Sequence, residues 1–228
     1  MRFAAIETSA EWCSVALWTD GEIAAIERRV GQRHAEFVLP MLERLLARAG
    51  AGVEGLDAVS FGAGPGSFTG LRIACAVAQG LAFGRAIPVI GVPTLEAIAE
   101  ESGSERVIAC IDARMHEVYV AALERAAGGA WREVVPAACV APAAAPRPPG
   151  SGWVGCGGGF AVYGDALRAA LGDALWRARP EVRAGAAAIA RLAAPRLEAG
   201  EGVDAAQAAP VYLRDKVALT VAEQRERV

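Results

Sequence analysis

Apolar positions recur along this chain with two periods, and the change from one to the other marks its elements. Residues 2–6 and 13–19 are short apolar runs around the polar stretch Glu7-Thr8-Ser9-Ala10-Glu11. Asp20-Gly21 then turns into a third run near 22–28, so a β-meander is predicted. From His34 to Ala49 the spacing becomes helical, with Val38, Leu42, Leu45 and Ala49 on one side. Pro40 marks a kink in that helix or its true first turn. Residues 56–61 read as a buried strand, 89–92 as another, and Thr94 as the cap of a helix over 95–101. After Ser102-Gly103-Ser104 a similar order restarts, with strands over 106–112, 116–123, 131–140 and 153–155 and helices over 162–171 and 184–197. Residues 142–152 are a Pro/Ala loop without periodicity. Two successive units of strands followed by helices predict a duplicated α/β fold. The expected domains are 1–103 and 104–210, with a charged C-terminal helix over 211–228 packing back on the first.

The segment Gly64-Pro65-Gly66-Ser67-Phe68-Thr69-Gly70-Leu71-Arg72 joins the buried strand over 56–61 to a helix over 67–83. Glycine reaches positive φ cheaply and proline presets the backbone, so a tight strand-to-helix turn is predicted. Ser67 or Thr69 is placed to cap it, leaving free N–H groups that would face an anion. No Lys-Ser/Thr pair follows at the spacing of a P-loop. Within the helix, Gly70, Ala74, Ala78 and Ala82 lie four apart, and Ala76, Gly80 and Gly84 form a neighbouring row. Such a ridge of small residues is a strip where another backbone comes close. Leu71, Ile73, Val77, Leu81 and Phe83 make the helix apolar nearly all round, which predicts burial in the core or under a partner. Arg72 and Gln79 interrupt it, so it is not read as a membrane span.

At 228 residues with 54% hydrophobic and 21% charged side chains, the chain is long enough for a real core and has a soluble composition. A formal net charge of −3 with scattered arginines argues against tight nucleic-acid binding by this chain alone. Five cysteines without a C-x-x-C pair, and an N-terminus without a signal-peptide core, predict reduced thiols in a cytoplasm.

Candidate sites each have a plain structural reading beside them. Thr8 and Ser9 would contact a phosphate or simply form a polar turn. Gly155 and Gly157 to Gly159 would admit a nucleotide or form a flexible turn. His34 reads as a surface or interface residue, His116 as exposed and structural, and Asp112–Arg114 as a local ion pair. The two histidines have no Cys/Asp cluster at metal-ligand spacing, and no G-x-S-x-G occurs. No complete catalytic set emerges.

Residues 5–9 with 13–17, His34-Ala35-Glu36 with Leu39-Pro40, and 64–73 resemble the bacterial TsaB family, also called YeaZ. Residues 88–97, Asp112-Ala113-Arg114 with Glu117-Val118-Tyr119, and Pro210-Val211-Tyr212-Leu213-Arg214-Asp215 continue the resemblance in order. It implies an actin/Hsp70/sugar-kinase-like (ASKHA) α/β fold of two RNase-H-like mixed-sheet domains in tandem. It also implies a part in making N6-threonylcarbamoyladenosine at position 37 of tRNA.

The resemblance further implies a non-catalytic, activating subunit. Its partners would be a TsaD-type catalytic subunit and a TsaE-type ATPase, with tRNA met only through the complex and a homodimer when alone. TsaD-type siblings bind metal through two histidines four apart, where this chain carries Thr94 and Ile98, so no catalytic or metal residues are expected here. Nor is tight cofactor binding, with ATP/ADP and metal held by the partner subunits. Glu7 stands where the family often has Asp, and Gly155-Cys156-Gly157-Gly158 lacks a carboxylate of the usual turn. Thr8, Ser9, Gly64, Gly66, Gly155 and Gly157 are therefore read as degenerate nucleotide-site turns. The partner and dimer interface is expected on His34, Val38, Met41, Leu42, Leu45, Gly70, Ala74, Ala78 and Ala82. The alternative is a stand-alone ATP-binding small-molecule kinase or ATPase of the same fold.

Overall fold

The computed structural model describes residues 1–214; of the helix expected over 211–228, residues 215–228 lie outside them and 211–214 are irregular chain. The first half runs β1 (Arg2–Glu7), β2 (Trp12–Thr19), β3 (Glu22–Arg29), α1 (His34–Arg48), β4 (Ala58–Gly64), α2 (Phe68–Phe83), β5 (Val89–Pro93) and α3 (Thr94–Ser102). The second runs β6 (Arg106–Arg114), β7 (Glu117–Arg125), β8 (Trp131–Val140), β9 (Trp153–Cys156), α4 (Gly159–Leu171), β10 (Leu175–Arg179) and α5 (Ala186–Glu198).

The two sheets have the same construction. In the first, β1, β2 and β3 pair antiparallel and β4 and β5 join parallel to β1, giving the order β3-β2-β1-β4-β5. In the second, β6, β7 and β8 form the meander and β9 and β10 join in parallel, giving β10-β9-β6-β7-β8. This is the predicted tandem α/β duplication. β10 escaped the sequence reading because it is short and its Trp176 and Arg177 are exposed, so no apolar run announces it. The halves differ between their third and fourth strands. The first half places α1 there; the second has the 142–152 loop with one 3-10 turn at Pro142–Ala144. Four prolines in that loop remove the N–H groups a helix would need.

Strand alternation sorts side chains onto two faces of each sheet. Ala4 and Ile6 of β1 point to a core shared with α1 and α2, whereas Phe3 and Ala5 point to a core shared with α5. Ile108 and Cys110 of β6 face α4, whereas Val107 and Ala109 face Leu95, Ile98 and Ala99 of α3. The layers are therefore α1/α2, first sheet, α3/α5, second sheet, α4. The last helix of each half covers the sheet of the other: α3 lies on β6, and α5 lies on β1, β2, β4 and β5. This amends the expected 104–210 unit, because α5 packs on the first sheet. The alanines at 186, 188, 190, 193 and 194, all buried, make it narrow enough for that slot.

Polar groups fix the exchange. The Ser14 hydroxyl of β2 accepts the Ala186 N–H at the start of α5 (2.9 Å), and Arg183 pairs with Glu27 of β3. Glu100 of α3 accepts from Arg125 (2.8 Å) and Trp131 (3.0 Å) of the second sheet and from Arg191 of α5 (3.2 Å). Burial works to raise the Glu100 carboxyl, but these donors and the arginine charges outweigh it and hold it below its ordinary value. Thr94 differs from expectation: Pro93 occupies the cap position, and the buried Thr94 hydroxyl has no partner among the described residues. No helix among the described residues is long and apolar enough to cross a membrane.

Glu100→Gln should lower the unfolding free energy by about 2 kcal/mol in urea titrations at neutral pH, since it weakens charge-assisted hydrogen bonds. Because the folded carboxyl titrates below its unfolded value, the contribution is full above the ordinary glutamate range. It is lost as pH falls through the depressed value, so wild type and variant should converge in acid.

Candidate functional site

The glycine turn before α2 is filled by the chain itself. Ser9 carbonyl accepts the Ser67 N–H (2.7 Å), the Thr8 hydroxyl donates to the Gly70 carbonyl (2.7 Å), and Ser67 Oγ caps the Gly70 N–H (3.3 Å). A Cβ at Gly70 would lie 1.9 Å from the Thr8 carbonyl oxygen, and one at Gly66 2.6 Å from Ser9 Cβ. The tip of the first hairpin thus rests backbone to backbone on the first turn of α2. Thr8 and Ser9, both buried, direct their polar groups at protein rather than at a phosphate. Gly64, at φ +118°, takes a conformation open to glycine and faces the Val211 carbonyl.

The second half repeats the device. A Cβ at Gly157 would lie 2.3 Å from the Cys110 carbonyl oxygen, and Gly159 abuts the Cys110 thiol. Gly155 leaves room for the Phe160 ring, which a Cβ would meet at 2.4 Å. The glycines read as candidate nucleotide contacts serve close packing inside each half.

Glu7 lies beneath the first turn. One carboxyl oxygen accepts the Ser9 N–H; the other has no partner among the described residues and rests against Gly62. Burial raises this carboxyl above its ordinary value, and the hydrogen bonds from Ser9 and Thr8 pull it back only in part. Burial, then the nearby Glu7 charge, pushes the Cys13 thiol up to about 11. Among the described residues no three His, Cys, Asp or Glu side chains gather as a metal site. Thr94 and Ile98, aligned by resemblance with a sibling's histidine pair, are buried between the sheets.

The interface residues expected on α1 and α2 turn the other way. His34, Val38, Met41, Leu42 and Leu45 are all buried, and Gly70, Ala74, Ala78 and Ala82 form the inward row of α2. The physical reason is the exposed alternative: α1 and α2, with Ala205 and Ala208, cover this face of the first sheet, and the small ridge lets the α2 backbone come close to β1 and β4. His34 packs into the same layer, with Nε2 unpartnered among the described residues. The neighbouring row faces out. Ala76 and Gly80 are exposed, Gly80 and Gly84 have open space where a Cβ would stand, and Phe83 is 71% exposed. Ile73, Val77 and Leu81 flank them half-buried, and Leu39 of α1 is 44% exposed. No charged residue occurs between Arg72 and Arg85. An exposed, uncharged face flanked by Phe83 and Leu39 is a candidate contact site.

Known proteins resemble this chain in sequence and in fold. The family model described as "TsaD: tRNA N6-adenosine threonylcarbamoyltransferase" matches residues 27–220. The chain is 45% identical over 135 residues to the tRNA threonylcarbamoyladenosine biosynthesis protein TsaB of Escherichia coli, a match covering 58% of each chain. It is 42% identical over 142 residues to the protein of that name from Haemophilus influenzae, covering 58% of this chain and 60% of that one. The matched stretch therefore spans somewhat over half the length of these curated relatives. The solved structure of YeaZ from Pseudomonas aeruginosa superposes with a TM-score of 0.86 at 37% identity, over 93% of this chain and 99% of that one.

Two glycines in one helix should respond oppositely to alanine. Gly70→Ala should cost about 3 kcal/mol in chemical unfolding, because its Cβ meets backbone. Gly80→Ala should add about 0.5–1 kcal/mol, because it stands exposed in a helix interior. Glu7 supplies a pH test. Its folded value is raised, so as pH climbs from the ordinary glutamate value to the raised one the unfolded chain releases its proton first and stability falls. Glu7→Gln should abolish that decline in a pH series of thermal melts.

Proposed function

The chain belongs to the TsaB (YeaZ) family, within the wider group that the threonylcarbamoyltransferase model describes, and from this premise we propose that it is a non-catalytic activating subunit of tRNA N6-threonylcarbamoyladenosine-37 synthesis. It works in the cytoplasm by docking a TsaD-type catalytic subunit on the outer face of α1 and α2. The observation that carries this reading is the uncharged outer row of α2, with Phe83 the most exposed large apolar side chain among the described residues. A helix that exposes Ala76, Gly80 and Gly84 lets a partner helix approach backbone to backbone, and Leu39 and Phe83 offer apolar anchors at the rim. Without that partner, a second copy covers the same face about a two-fold axis.

Nucleotide and metal belong to the partner subunits, the TsaE-type ATPase among them, and tRNA meets this chain through the complex. The packing of Thr8 and Ser9 against Gly66 and Gly70 supports that division, since the turn offers its hydroxyl and amide groups to its own backbone. The same packing weighs against a stand-alone kinase.

Light-scattering mass of the chain, alone and mixed with the TsaD-type protein of the same organism, tests the reading. The wild type should be a homodimer that exchanges into a one-to-one complex. Gly80→Arg, placed in open space, should stay folded and lose both assemblies. A monomer indifferent to the catalytic protein, or full assembly by Gly80→Arg, overturns the proposed face. Ala78→Arg is a different experiment: it places a charge in the core and should unfold the chain.

A further inference from the structure

After α5 the chain runs back along the first half. Val203 bridges to Val89, the Ala208 carbonyl accepts from Gln79 (3.0 Å) and from the Cys75 thiol, and the Val211 N–H donates to the Ala63 carbonyl (2.7 Å). Tyr212 then lies on Phe68, ring centroids 5.5 Å apart, and its hydroxyl accepts from Arg72 Nε (3.1 Å). Two residues later the chain changes partners. Arg214 pairs with Glu117 of β7 and donates to the Arg114 carbonyl (3.5 Å), and its guanidinium lies 3.8 Å from Met115 Sδ and 3.5 Å from Cys139 Sγ. Four consecutive residues thus join the glycine turn of the first half to the β6–β7 turn of the second.

That second turn is strained. Arg114, Met115 and His116 all have positive φ, at 62°, 53° and 61°, which non-glycine residues hold only when their surroundings enforce it. Within the turn, Asp112 accepts the Arg114 N–H (2.8 Å) and pairs with its guanidinium (3.2 Å), while Met115 is 51% exposed. Arg214, whose side chain is only 15% exposed, contacts the turn from outside the second sheet, and Tyr163 of α4 meets it at Asp112.

We propose that residues 211–214 are a latch that holds the β6–β7 turn of the second half against the glycine turn of the first. Seating of Tyr212 on Phe68 and Arg72 and seating of Arg214 on Glu117 are one event, so loosening either end loosens the other. Arg72 also stands one turn before the outer row of α2, so docking there reaches the second half through the latch. That consequence rests on the docking reading; the latch itself does not.

Amide hydrogen exchange of the full-length chain, read by NMR or by overlapping peptides, tests it from both ends. Tyr212→Ala, on the first half, should speed exchange over residues 112–118 roughly fivefold or more, although Tyr212 itself seats on Phe68 and Arg72. Glu117→Gln, on the second half, should do the same for the Val211 amide, and Arg214→Ala should loosen both. Unchanged protection in β1 and over residues 107–110 of β6 verifies that each variant is folded. If each change stays within the half that carries the substitution, the latch is wrong. The experiment uses the isolated chain, so that failure leaves partner docking untouched, and a failure of docking leaves the latch untouched.

Discussion

The constraint on which the rest depends is the exchange of α3 and α5 between the two sheets. Each half ends in a helix that its own sheet does not bury by itself, and the two helices share one layer between the sheets. Glu100 concentrates this coupling, since its carboxylate takes donors from β7, β8 and α5 at once. A half-buried carboxylate with three donors keeps its charge satisfied, whereas loss of any one leaves a costly group behind. Ser14 does similar work at the other end of the layer by accepting the first N–H of α5.

With the inner faces occupied, each sheet has one face left to cover. The first half covers its own with α1 and α2, whose apolar sides are wider than the sheet requires. The inward row of α2 is small, so the helix sits close to β1 and β4, and the outer row is left uncharged. The second half replaces the equivalent of α1 with a Pro/Ala loop and covers its sheet with α4 and Ala145 of that loop. The duplication is therefore symmetric inside and asymmetric outside, and the asymmetry confines the candidate docking face to one side of the molecule.

The glycine turns illustrate how one local pattern fits two uses. A glycine-rich strand-to-helix turn suits an anion because its N–H groups are free. Here the same absence of Cβ lets the hairpin tip press on the helix start, and the hydroxyl of Thr8 closes on Gly70. The packing also seals Glu7 beneath the turn, where burial favours its neutral form.

Much of the architecture was legible from residues alone. The alternation over 2–28, the helical spacing over 34–49 and 67–83, and the repeat after Gly103 located nearly every element, because periodicity records which side chains face a core. A cap at Ser67 or Thr69 was legible, of which the fold uses Ser67, and 64–72 was legible as a turn. Three things were decided only in three dimensions. Which row of α2 faces out follows from where the first sheet lies, since Gly70/Ala74/Ala78/Ala82 and Ala76/Gly80/Gly84 are equivalent in one dimension. The crossing of α5 to the first sheet follows from shape, since an alanine-rich helix fits a narrow slot wherever one exists. The junction of Tyr212 and Arg214 with residues some 100 to 140 positions away follows from chain reversal. Local sequence fixes spacing and conformation, and only the folded chain assigns each surface its neighbour.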